Sequence, residues 1–101
     1  MTEVIIVSRH QGAIEFVESS GFSGEVVEHF SIEMVTPGMV VVGVLPIHLA
    51  AEVLNRGGRF YQIIMPSVPQ EMRGQELTPE QMRQYGARLM EVESLVLNEV
   101  V

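Results

Sequence analysis

The chain has 101 residues, 47% of them hydrophobic, which predicts a single globular domain with a modest core. Its formal net charge of −7 arises from thirteen glutamates and six arginines, and it has no aspartate, lysine or cysteine. This inventory excludes disulfides, cysteine nucleophiles, a phosphate-loop lysine and EF-hand calcium sites, and the acidic charge argues against binding of duplex DNA. No apolar run reaches the ~20 residues of a membrane span, and no basic signal segment is present, so we expect a cytoplasmic protein.

The first half of the chain predicts two strands with a helix between them. Glu3 to Val7 is almost continuously apolar, which is typical of a parallel strand that is buried on both faces. Ala13 to Ser20 has the apolar stripe of a helix, and Gly21 ends it. Glu25 to Phe30 carries charged residues and predicts a short strand at the edge of the sheet. A turn at Pro37-Gly38 leads into the second half.

The second half begins with a strand, a helix and a further strand. Met39 to Val42 is the strongest strand pattern in the chain. Ile47 to Asn55 predicts a helix that Gly57-Gly58 ends, and Arg59 to Met65 predicts a fourth strand. The polar segment Ser67 to Leu77 that follows predicts an irregular loop.

A last helix is predicted to begin at Thr78, with proline at its first position and glutamine at its third. Its apolar residues have heptad-like spacing and form one narrow seam: Met82, Tyr85, Leu89, Val92 and Val96. This seam and the apolar tail after it are a candidate homodimer interface, although the helix could equally pack on its own sheet.

The order of elements predicts an α/β fold, a Rossmann-like three-layer domain over residues 1–101. We expect a four-stranded, mostly parallel sheet of order 2-1-3-4 with helices on both faces. The link from Phe30 to Met39 is short for a parallel crossover. In such sheets ligands bind at the carboxyl ends of the strands, where neighbouring connections diverge. The loops Ser8 to Gly12 and Gly43 to His48 are predicted to meet there.

The first of these loops has the residues of an anion site. The N–H groups at a helix N-terminus attract phosphate, and the guanidinium of Arg9 can donate two hydrogen bonds to it. Ser8 adds a hydroxyl, His10 a titrating imidazole, and Gly12 permits close approach of a ligand to the backbone. The alternative is a polar loop in which Arg9 pairs with a carboxylate.

The second loop, Gly43-Val44-Leu45-Pro46, offers backbone N–H groups and apolar contact, or is simply a tight turn into a helix. His48 either reaches the crevice or faces solvent, and its i, i+4 pair with Glu52 lacks a third ligand, so no metal site is predicted. Arg73 is a candidate anion clamp on the loop before the last helix, with a surface ion pair as the alternative. His29 is predicted to be a surface residue.

Several motifs, in this order, resemble the small CRISPR-associated proteins of the Csx-sixteen family, which accompany type III CRISPR systems. The resemblance spans about Val4 to Leu89. The motifs are Val7-Ser8-Arg9-His10-Gln11-Gly12-Ala13-Ile14-Glu15, Pro37-Gly38, Gly43-Val44-Leu45-Pro46, Leu49-Ala50-Ala51-Glu52-Val53, Arg73-Gly74-Gln75-Glu76-Leu77 and Tyr85-Gly86-Ala87-Arg88-Leu89.

The resemblance implies a ring nuclease that cleaves cyclic tetra-adenylate by attack of a ribose 2′-hydroxyl, without metal or cofactor. It implies that Arg9 stabilises phosphate charge, that Ser8 and the N–H groups of Gln11 and Gly12 position the phosphate, and that His10 transfers protons. Ligand contacts are implied at Gly43, Leu45, Pro46, His48 and Arg73. Two positions depart from the family pattern: Val44 replaces an expected threonine, and His48 an expected asparagine.

Two other functions agree with the same residues. A protein that only sequesters the messenger would need the same fold, dimer and arginine, and it would give no linear product. An acidic partner of a type III effector would instead use the negative charge and the apolar tail. We expect a homodimer because a cyclic tetranucleotide can have two-fold symmetry.

Overall fold

A five-stranded mixed sheet forms the centre of the computed structural model, which describes residues 2–101. The first four strands pair in parallel and the fifth pairs antiparallel with the fourth, in the order β2-β1-β3-β4-β5. The predicted order of the four parallel strands is confirmed, and the expected sheet of four strands is extended by one. The strands are β1 (Val4–Val7), β2 (Glu25–Val27), β3 (Val40–Gly43), β4 (Arg59–Ile64) and β5 (Arg88–Val92).

Helices cover both faces of the sheet, as predicted. They are α1 (Gln11–Ser19), α2 (Ile47–Asn55) and α3 (Pro79–Gln84). Helices α1 and α3 pack on one face, where Phe16 and Met82 meet Val42. Helix α2 packs on the other face, where Val53 meets Phe60. None of the helices among residues 2–101 has the length and apolarity needed to cross a membrane.

The link from β2 to β3 crosses the sheet without an α-helix. Strand β2 ends at Val27, three residues before the predicted Phe30, and a single 3-10 turn at Ile32–Met34 follows. The link is long enough because β2 and β3 flank β1, so the chain crosses only one strand. Ile32 and Val35 pack with the core on the α2 face and take the place of a crossover helix.

The predicted long last helix is wrong beyond its first turns. Its start is confirmed, since Thr78 and Gln81 form a capping box. The helix ends at Gln84, and Gly86, with a φ of 87°, turns the chain into β5. Leu89 and Val92 then join the cores on opposite faces of the sheet, because an odd separation along a strand places side chains on opposite sides.

Because β5 replaces the second part of the predicted helix, the seam that was a candidate dimer interface does not form. Arg88, predicted on the helix, begins the edge strand and pairs with Ile64 of β4. After β5 the tail packs through Leu95 on the α2 face, while Val96 and Val100 are exposed.

Arg59 and Glu91 form a two-pronged ion pair across β4 and β5. Arg59 Nε lies 2.9 Å from one carboxylate oxygen of Glu91, and Arg59 Nη2 lies 3.0 Å from the other. The hydrogen bonds from Arg59 hold the pKa of the Glu91 carboxyl below its ordinary value. A carboxyl with a lowered pKa in the folded state stabilises the fold above its unfolded-state pKa, and the gain is lost as the pH falls through the folded-state pKa.

We therefore expect Glu91→Gln to have a lower melting temperature than the wild type at neutral pH. In acid, the melting temperatures of the two proteins should come closer together. Thermal unfolding between pH 7 and pH 3 measures this difference. Glu99→Gln, in the exposed tail, is the control and should follow the wild type throughout. A wild-type advantage that stays constant down to pH 3 would refute the role of the ion pair.

Candidate functional site

Two adjoining cavities lie at the carboxyl ends of the parallel strands, where the topology predicts a ligand crevice. The polar cavity has a volume of about 510 Å³, and its polar lining comes from Ser8, Arg9, His10, Glu28 and His29. The apolar slot has a volume of about 250 Å³ and runs between Val44, Ile63, Leu77 and Met82. His10 and Val44 line both, so a ligand can extend from one to the other.

Local hydrogen bonds fix the turn that carries Ser8, Arg9 and His10. The Ser8 N–H donates to the carbonyl of Val27 at 3.2 Å and extends the pairing of β1 with β2. The Ser8 hydroxyl then accepts the His10 N–H at 3.1 Å. His10 is thereby held in an extended conformation just before α1, and its carbonyl accepts the Ile14 N–H. The turn thus places three consecutive polar side chains at the carboxyl end of β1.

His10 pairs with Glu76, a glutamate from the segment that precedes α3. The Nδ1 atom of His10 lies 2.7 Å from Oε2 of Glu76. The side chains are 64% and 58% exposed, so the pair adds little to stability and remains open to a ligand. Hydrogen bonding with His10 is the largest cause that lowers the pKa of the Glu76 carboxyl, which therefore stays ionised at neutral pH.

The N-terminus of α1 faces this same carboxylate. The nearby backbone N–H groups of Gly12 and Gln11 also contribute to the lowered pKa of Glu76. The N–H groups predicted to position a phosphate are thus directed at an anion of the chain itself. A phosphate at these N–H groups would compete with the Glu76 carboxylate, and Arg9 offers a second place beside them.

Gly12 allows the Glu76 segment to approach α1 this closely. It is buried, and a Cβ atom at this position would lie 1.6 Å from the carbonyl oxygen of Leu77. Only a residue without a side chain fits between the helix and that carbonyl. The predicted close approach at Gly12 is therefore to the protein's own backbone.

The second predicted loop contributes Val44 to the cavities. Val44 is 60% exposed and lines both of them. Leu45 points the other way, into the core on the α2 face, and its N–H donates to Gln62 Oε1 at 3.4 Å. Pro46 is the residue before α2 and is exposed. The two loops thus meet as predicted, through Val44.

Gly43, His48 and Arg73 lie outside the two cavity linings. A Cβ on Gly43 would lie 2.4 Å from the carbonyl oxygen of Val7, so this glycine permits the close contact of β3 with β1. His48 lines a separate cavity with the C-terminal tail. Arg73 is exposed and follows a 3-10 turn at Gln70–Met72, on the same segment as Glu76.

Glu76 was not predicted as a site residue. The prediction that His29 is a surface residue is confirmed, since it is exposed, and the structure adds that it lines the polar cavity. No local pattern marks Glu76, because its partner is 66 positions away in the chain. The place of His29 at the cavity could have been inferred, because it follows the end of β2 by the same number of residues as Arg9 follows the end of β1. Among residues 2–101, no group of three or more histidine and glutamate side chains is arranged to hold a metal ion.

Comparison with known proteins gave one family. A family model described as "Putative CRISPR-associated protein (Cas_VVA1548)" matches residues 5–95. Searches among curated proteins and among solved structures gave no match.

Proposed function

The chain belongs to a family of CRISPR-associated proteins, and from this premise we propose that it is a ring nuclease for cyclic tetra-adenylate. It would open this type III messenger by attack of a ribose 2′-hydroxyl on the adjacent phosphorus, without a metal ion. The products would end in a 2′,3′-cyclic phosphate and a 5′-hydroxyl, and loss of the ring would switch off the antiviral response. The observation that carries the proposal is the 2.7 Å pair of His10 and Glu76 beside Arg9.

The pair gives His10 a defined chemical role. The Nδ1–H donates to the ionised carboxylate of Glu76, which leaves the lone pair of Nε2 free to accept a proton. Nε2 then acts as the general base that removes the proton of the 2′-hydroxyl. Glu76 is the positioning residue that orients the imidazole of His10 and stabilises the positive charge formed on it.

Arg9 supplies the charge that the reaction needs at phosphorus. The attacking oxygen adds negative charge to the phosphoryl oxygens, and a planar guanidinium can donate two hydrogen bonds to them. Arg9 lines the polar cavity next to His10. This arrangement supports cleavage beside the imidazole.

The apolar slot supports a nucleobase next to the cleaved bond. Val44, Ile63, Leu77 and Met82 provide apolar contacts for a flat ring, and the slot adjoins His10. Val44, where the Csx-sixteen pattern has threonine, adds an apolar side chain to this wall. Adenine would be held here mainly by apolar contact, while Gln75 and Glu76 supply polar groups to the same slot.

We further propose that the ring binds to a homodimer. A cavity of about 510 Å³ is within the range that holds one drug-sized ligand, and a ring of four nucleotides is larger than such a ligand. Two protomers related by a two-fold axis would duplicate the cavity and match the symmetry of the ring.

The test is turnover of radiolabelled cyclic tetra-adenylate in excess EDTA, with substrate well above enzyme. Repeated turnover to products with 2′,3′-cyclic phosphate ends supports the ring nuclease. Stoichiometric binding without linear product would make the protein a messenger-binding protein. Neither binding nor product would favour a protein partner of the effector.

Arg9→Ala is expected to lower the turnover rate about 10²–10³-fold, the usual loss when one donor to a developing anion is removed. Arg9→Lys should recover part of the rate, because a point charge replaces the two-pronged donor. Arg56→Ala, at the opposite end of α2 from the cavities, is the matched control and should keep the wild-type rate. Equal rates for Arg9→Ala and wild type would refute the role of Arg9.

A further inference from the structure

We propose that His29 is the general acid of this reaction, which protonates the departing 5′-oxygen. The inference rests on the proposed function and adds a second proton-transfer group to it. A base and an acid on opposite sides of one phosphorus let the entering oxygen lose a proton while the leaving oxygen gains one. The polar cavity holds two imidazoles, those of His10 and His29, and the mechanism so far uses one of them.

The parallel pairing of β1 and β2 brings His29 to the site. Val7 is level with Val27, and the hydrogen bond from Ser8 N–H to the Val27 carbonyl continues that register past the strand ends. His29 follows Val27 at the same distance as Arg9 follows Val7. Arg9 and His29 thus line the polar cavity from neighbouring strand ends. His10 lies on the same connection as Arg9, and His29 lies on the other one.

The two histidines have different surroundings, and we assign them different roles on that basis. His10 is held by Glu76, which directs its Nδ1–H and leaves Nε2 as an acceptor. His29 makes no side-chain hydrogen bond among residues 2–101, so its N–H groups are available to a ligand. The charged groups that line the cavity with His29 are Arg9 and Glu28, and His10 is the other titratable group there. The walls from β3–α2 and β4 contribute Val44 and Ile63, which carry no charge.

The step balances with these two groups alone. His10 Nε2 takes the 2′-hydroxyl proton, the 2′-oxygen forms a bond to phosphorus, and the bond from phosphorus to the 5′-oxygen breaks. Its electron pair leaves on the 5′-oxygen, which receives a proton from the protonated His29. The reaction ends with His10 protonated and His29 neutral, and exchange with water restores both.

The experiment compares two substrates with wild-type protein, His29→Gln and Glu25→Gln. One substrate is cyclic tetra-adenylate, and the other carries sulfur in place of each bridging 5′-oxygen. A thiolate leaves without protonation, so it does not need a general acid. We expect His29→Gln to cleave the natural ring at least ~10²-fold more slowly than the wild type does. The same variant should cleave the sulfur-containing ring at close to the wild-type rate. Glu25→Gln, at the other end of β2, should match the wild type on both substrates.

Each other outcome has a definite meaning. Loss of activity by His29→Gln on both substrates, or on neither, would overturn the role of His29 as the acid while the ring nuclease stands. Loss of ring binding by this variant would also overturn it, since His29 would then be a binding residue. Absence of turnover by the wild type on both substrates would refute the ring nuclease itself and this inference with it.

Discussion

His10→Ala is expected to lower the turnover of cyclic tetra-adenylate about 10³–10⁴-fold while the protein remains folded. The imidazole is the proposed general base, and its Nδ1 is already bound to a carboxylate at 2.7 Å, so no reorganisation is needed when it accepts a proton. The side chain is 64% exposed, so its removal creates no cavity in the core. Initial rates with substrate in excess, together with the melting temperature, measure the two effects separately.

Glu76→Gln distinguishes a catalytic role of the pair from a structural one. We expect a lower kcat, because the amide no longer stabilises the positive imidazolium. We also expect a lower KM, because the carboxylate that faces the N–H groups of Gln11 and Gly12 no longer repels the phosphate. A merely structural residue would not move kcat and KM in the same direction. Glu80→Gln, an exposed glutamate in the first turn of α3, is the matched control.

Two results would contradict this assignment of roles. If His10→Ala retains the wild-type rate, another group takes the 2′-hydroxyl proton. If Glu76→Gln raises KM, the carboxylate helps to hold the ligand and does not compete with it.

The parallel part of the sheet was predictable because its signals are local. Val4–Val7 and Val40–Gly43 are continuous apolar runs, and each is followed within a few residues by a helix with one apolar stripe. Such runs require cover on both faces, and right-handed connections then leave few possible strand orders. The capping box at Thr78 was predictable for the same reason, since it depends on four adjacent residues.

Strand β5 was missed because its apolar spacing fits two structures. Leu89 and Val92 continue the heptad spacing of Met82 and Tyr85, which favours a helix when the sequence is considered alone. In the sheet these residues satisfy a different requirement, since one lies on each face and both complete existing cores. Gly86 was the available signal, because a glycine after a short helix commonly ends it.

The candidate site likewise contains residues that could be predicted from local sequence and one that could not. Ser8, Arg9 and His10 were predictable because the end of a buried strand fixes their position. Glu76 was not, because its contact with His10 depends on how the segment before α3 folds over α1. A helix N-terminus favours a nearby anion, and here the carboxylate near it is Glu76 of the chain itself.

Gly12→Ala is expected to have the largest effect on stability among the substitutions considered. The new Cβ would lie 1.6 Å from the Leu77 carbonyl oxygen and 2.9 Å from its carbon, both backbone atoms that no side-chain rotation can move. Alanine favours a helix over glycine by about 1 kcal/mol, but a backbone clash in a packed contact typically costs about 1–3 kcal/mol or more. We therefore expect a net loss of unfolding free energy, measured by urea denaturation, with Glu18→Ala on exposed α1 surface as the control.

The same substitution should also reduce cleavage, because Glu76 directly precedes Leu77. Moving the Leu77 carbonyl away from α1 carries the carboxylate away from His10, so the imidazole loses the group that orients it. Turnover should fall even at temperatures where the variant is fully folded, and Glu76→Gln in the Gly12→Ala background should then cause little further loss. If the double variant shows the full sum of both losses, the packing of Gly12 and the orientation of His10 are independent, and α1 does not position Glu76.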